Sequence, residues 1–183
     1  MSKLLATLQT PSPLSTSKTL VLVTGGTLDK DYIETSGELS FISTHLPEML
    51  KQANLTLDLE IQTLMLKDSL EMDEADRNRI SKAVLQAPYS QILVTHGTDT
   101  MAQSAQTIIE HLKVEKQPLK KTIVFTGAMR PFKLGKSDAL FNLGSALTAV
   151  QLLPAGCFIA MNGRIHSADK VYKNLEKGIF ESI

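Results

Sequence analysis

Cysteine is almost missing from this chain: Cys157 is its only one. No internal disulfide can form, which fits a reducing compartment such as the cytoplasm. Cys157 sits in the apolar run Cys-Phe-Ile-Ala-Met, so a buried, inert thiol is expected. Tryptophan is absent and aromatics make up only 5% of the residues. Neither sign of charge is in excess, with 19 basic and 19 acidic side chains. A broad basic surface for nucleic acid is therefore not expected. No apolar run approaches the ~20 residues that a membrane span needs, and no segment near the start serves as a signal-peptide core. His and Cys nowhere fall at metal-ligand spacing, so no metal site is expected.

What is present is ordered alternation. The 183 residues, 43% of them apolar, suffice for one well-buried core. Residues 1–18, rich in Pro, Ser and Thr, read as a loose arm, and 19–183 as one domain. Short apolar runs at 20–23, 91–95, 122–126 and 157–161 read as strands, and Leu55 to Ile61 alternates at strand period. Between them, 45–53, 73–87, 100–112 and 139–153 carry apolar residues at helical spacing, with Asp73 placed as an N-cap. This pattern predicts a three-layer α/β fold, a largely parallel sheet with helices on both faces. Ligands of such sheets bind beyond the carboxyl ends of the strands.

Three loops at those carboxyl ends share glycine and threonine: TGGT at 24–27, THGTD at 95–99 and TGAMR at 126–130. TGGT lacks both the Gly-Lys-Ser/Thr of a Walker loop and the spacing of a dinucleotide loop. It is either a plain tight turn or the support of a nucleophile, Thr27. A threonine hydroxyl is a weak nucleophile and needs a nearby base and an oxyanion donor. Thr98 and Asp99 offer a hydroxyl and a carboxylate, although both also suit a helix start. His96 reads as a structural hydrogen-bonder. Arg130 reads as a tie between loops, Ser137–Asp138 as a helix cap, and Asp68–Ser69 as a turn. Lys173 alone, with Lys170 and Lys177 nearby, reads as a surface lysine.

Taken together, TGGTL at 24–28, DSLEM at 68–72, HGTDTM at 96–101, TGAMRP at 126–131, SDALFNL at 137–143 and VYK at 171–173 resemble the bacterial-type L-asparaginase family, in family order. The resemblance implies cofactor-free hydrolysis of asparagine, and often glutamine, to the acid and ammonia. It implies Thr27 as the attacking threonine, and Thr98, Asp99 and Lys173 as a hydrogen-bonded group that activates or orients the nucleophile. Thr98 would also help hold the amide oxygen. Ser69 would bind the substrate α-carboxylate and Asp99 the α-ammonium. The Ala128 carbonyl would face the leaving nitrogen, and Tyr32 would be the mobile-loop tyrosine. A lysine beside a carboxylate and a threonine can shuttle protons if burial lowers its pKa.

The pattern also departs from the family. Its usual chain is nearly twice as long and carries a C-terminal domain with no counterpart here, as in a known short-chain subgroup. Leu70 stands where many members have a polar residue. A small-molecule amide substrate and a homo-oligomer, most simply a dimer, are expected. The competing expectation is a non-catalytic amino-acid-binding or sensor module; an amidase for a larger substrate is a third.

Overall fold

The computed structural model describes residues 18–116 and 118–183, so the arm expected at 1–18 lies, apart from Lys18, outside the described residues. Among the described residues, ten strands and four α-helices follow one another. They are β1 (Thr19–Gly25), β2 (Lys30–Ile33), β3 (Glu38–Phe41), α1 (Leu46–Gln52), β4 (Leu59–Lys67), α2 (Glu74–Gln86), β5 (Gln91–Thr95), α3 (Met101–Val114), β6 (Thr122–Thr126), α4 (Ala139–Leu152), β7 (Gly156–Met161), β8 (Arg164–Ser167), β9 (Val171–Asn174) and β10 (Ile179–Ser182). Six strands form the main sheet in the order β4-β1-β5-β6-β7-β8. All its pairings are parallel except that of β8 with β7. β2–β3 and β9–β10 are separate hairpins.

Buried faces follow the strand period of two. Leu20, Leu22, Ile92, Val94, Ile123, Phe125, Ile159 and Met161 face one cluster, where α2 and α3 supply Ile80, Val84, Met101 and Ile108. Val21, Val23, Leu93, Val124 and Ala160 face the other, where α1 and α4 supply Leu46, Met49, Leu143 and Leu147. Central strands covered on both sides read as continuous apolar runs, which is why 20–23, 91–95 and 122–126 are visible in the sequence. Asp73 caps α2 in a reciprocal box with Asp76. Cys157 is buried, and burial pushes its thiol up to about 12. It is inert, as its apolar context indicates.

One expectation changes. The alternation from Leu55 to Ile61 does not mark the strand's extent: β4 starts at Leu59, opposite the first residue of β1, and continues to Lys67. Leu55 and Leu57 pack on the α1/α4 cluster without a ladder partner. Near its end β4 bulges, since Val23 pairs with Thr63 but Gly25 with Lys67. That bulge delivers Asp68–Ser69 to the sheet's carboxyl edge. The crossovers also differ in handedness. β6–α4–β7 advances along the sheet in the same direction as β5–α3–β6, yet its helix lies on the opposite face. Three crossovers share one hand, and this one has the reverse, left-handed sense that parallel sheets rarely adopt.

Candidate active site

The loops after β1, β4, β5 and β6 meet through glycine backbones. A Cβ on Gly26 would lie 2.3 Å from the Gly97 nitrogen, and one on Gly97 would lie 2.6 Å from the Ser69 Oγ. A Cβ on Gly127 would lie 2.3 Å from the His96 carbonyl oxygen. No side chain fits at these three contacts, so the backbones that precede Thr27, Thr98 and Ala128 pack against neighbouring loops, with Ser69 directly beneath Gly97. The His96 N–H donates to the Thr126 carbonyl (2.9 Å), and the Thr24 hydroxyl donates to the Thr95 carbonyl (2.7 Å).

Lys173 reaches this group from the far end of the chain. On β9 it shares a face with Val171, and across the ladder it pairs with Phe180. Val171 and Phe180 are both buried in the α2/α3-side cluster, so this face points inward. The Lys173 Nζ donates to the Thr98 Oγ1 (2.8 Å) and to the Asp99 Oδ1 (2.7 Å). The lysine side chain is 9% exposed, far from the surface lysine its neighbours suggest. Because Nζ donates to Thr98, the threonine's own O–H remains available to another acceptor.

The other expected residues take definite places. Thr27 opens a short 3-10 turn, Thr27–Asp29, and is half-buried. The Ser69 hydroxyl is fully buried beneath Gly97, with no hydrogen-bond partner among the described residues. The Ser69 carbonyl accepts from the Thr100 hydroxyl (2.8 Å). Ala128 is buried and Leu70 exposed. Tyr32 lies on β2, 52% exposed, with its hydroxyl over Gly37 at the turn of its own hairpin. His96 is wholly buried, and its Nδ1 lies 2.8 Å from the Gly97 carbonyl. Burial pushes that imidazole down to about 4. Arg130 ties its own loop, donating to the Gly135 and Leu134 carbonyls.

Asp138 does more than start a helix. Its carboxylate accepts from the Met129 and Arg130 N–H groups and from Asn142, whose amide also donates to the Gly127 carbonyl. The pair thereby pins the loop carrying Ala128. Asn142 was missed in the sequence although a signal was present: an amide one turn before Ala146 on the inward stripe of α4. The reversed crossover is what sets this stripe against the Ala128 loop.

Residues 18–179 match the family model described as "Asparaginase, N-terminal". The chain belongs to the asparaginase family. Among curated members, it is 30% identical over 174 residues to an L-asparaginase from Thermococcus kodakarensis, covering 91% of this chain and 51% of that one. It is 29% identical to one component of the glutamyl-tRNA(Gln) amidotransferase of Aeropyrum pernix, covering 85% of this chain and 37% of that one. Among solved asparaginase structures, the thermostable L-asparaginase from Thermococcus kodakarensis superposes with a TM-score of 0.73 at 28% identity, over 91% of this chain and 51% of the other. A probable cytoplasmic L-asparaginase from Campylobacter jejuni gives 0.71 at 25% identity, over 91% and 53%. The chain thus spans about half the length of the asparaginases it matches.

Proposed function

We propose that this domain hydrolyses the side-chain amide of L-asparagine, and of L-glutamine, to the acid and ammonia. The observation that carries the reading is the bridge from Lys173 to Thr98 and Asp99, made across more than 70 residues within the family's matched region. In this reading the Thr27 hydroxyl attacks the amide carbon. The developing oxyanion is met by the Thr98 O–H, which the lysine bond leaves free to donate. The threonine proton passes to the leaving nitrogen, ammonia departs, and water cleaves the ester left on Thr27. Asp99 receives the substrate ammonium, Ser69 its carboxylate, and the Ala128 carbonyl faces the leaving nitrogen. Tyr32 closes over the site when its hairpin moves. The amidotransferase relative favours a second reading on the same chemistry, in which the released ammonia serves a partner enzyme.

The test is ammonia release by this chain from asparagine and glutamine, beside Thr27→Ala and Lys173→Ala. Thr27→Ala is expected to abolish turnover, and Lys173→Ala to slow it roughly 10²-fold, because Thr98 and Asp99 lose the ammonium that orients them. A wild type that binds asparagine without releasing ammonia would leave the sensor reading standing. Equal rates for wild type and Thr27→Ala would remove Thr27 as nucleophile.

A further inference from the structure

The turn that holds Ser69 begins with a carboxylate. The Asp68 Oδ1 accepts from the Leu70 N–H at 3.0 Å, an Asx turn around Ser69, and the Asp68 carbonyl accepts from the Glu71 N–H. A bare carboxylate one residue from Ser69 is the wrong neighbour for a substrate carboxylate, because like charges repel at such range. The Asp68 Oδ2 is not bare: it is paired with the Lys30 ammonium. The two side chains are 19% and 23% exposed, shielded enough for the pairing to matter. The Lys30 ammonium also lies 5.7 Å over the Phe41 ring of the neighbouring strand. Lys30 follows the Thr27–Asp29 turn directly. Ahead of that turn, the Gly26 N–H donates to the Lys67 carbonyl at 3.1 Å. Thr27 is therefore bracketed by two links to residues 67–68.

We propose that Lys30 is a positioning and specificity residue for the substrate's α-carboxylate, acting through Asp68. It cancels the negative charge beside Ser69 and fixes the Ser69 turn relative to Thr27. This deepens the proposed function and rests on it. Leu70, exposed and apolar, adds no compensating polarity on that side, so the screening falls to Lys30.

The experiment compares L-asparagine with its α-methyl ester, which has no α-carboxylate and releases ammonia only from the side chain. Lys30→Met leaves Asp68 uncovered. It is expected to raise KM for asparagine about tenfold while changing KM for the ester little, an electrostatic effect that general loosening does not produce. Asp68→Asn leaves Lys30 in surplus and shifts the same KM ratio the opposite way. Lys30→Arg restores the wild-type ratio. If Lys30→Met does not fold, Asp68→Asn alone decides by the direction of its shift. Unchanged ratios in the folded variants overturn the proposal while wild-type, Thr27-dependent turnover leaves the proposed function intact. No turnover by wild type removes both.

Discussion

His96 illustrates how burial decides a residue's chemistry. With its ring enclosed beside Phe125, the imidazole is held uncharged at neutral pH, its pKa lowered to about 4 by desolvation, against the bond to the Gly97 carbonyl. The unfolded chain takes up the proton near pH 6.5 and the folded chain only near 4, so stability is complete above 6.5 and is lost as pH falls. The loss from this group is about 2 kcal/mol by pH 5. Urea unfolding of wild type and His96→Gln at pH 7 and pH 5 measures it, since other titrating groups cancel in the difference. Parallel pH dependences would mean that His96 is protonated in the fold. Such a residue, uncharged and enclosed, steadies the loop that holds Thr98.

At the scale of elements, legibility followed burial. β5 and β6 show in the sequence as continuous apolar runs buried on both faces, and the helices as apolar residues at helical period. The two hairpins do not: β2–β3 is mostly exposed or half-buried, and β9–β10 buries only Val171 and Phe180 fully. Yet they carry Tyr32 and Lys173. Lys173 is legible only through its resemblance motif, because the partners that give it meaning lie more than 70 residues away. The outer face of β9–β10 has its own organisation. The Glu181 carboxylate accepts from the Tyr172 hydroxyl (2.7 Å), the Asn174 amide (3.0 Å) and the Lys177 ammonium (2.8 Å). Those bonds, Lys177 first, hold its pKa down to about 2. Glu181→Ala is expected to speed hydrogen exchange across residues 171–182 and to lower kcat about tenfold, because a small displacement of Lys173 is costly. Unchanged exchange and kcat would show that Val171 and Phe180 suffice. In wild type the hairpin keeps this support above pH 4.5 and loses it as pH falls toward 2.

For the whole molecule, the consequence of the fold is that no single segment owns the proposed site. Thr27 follows the first strand, Lys173 belongs to the ninth, and Ser69, Thr98 and Ala128 come from three loops between. Bringing them together requires the bulge in β4, the three glycine contacts and the reversed crossover through α4. A ligand that touches Ser69 and Asp99 at once therefore binds the assembled fold and not its parts. Such a ligand stabilises the fold by mass action, by about 2.7 kcal/mol at a hundred times its dissociation constant. For a domain of this length that corresponds to a rise in Tm of roughly 5–10 °C. L-Aspartate, the product of the proposed reaction, carries both the ammonium and the carboxylate and undergoes no turnover, so it serves as the probe. Wild type is expected to show the rise in a thermal melt, and Asp99→Ala to lose most of it, since the ammonium then has no partner. A wild type whose Tm ignores saturating aspartate would mean that the assembled loops do not form an amino-acid site, however well Lys173, Thr98 and Asp99 are joined.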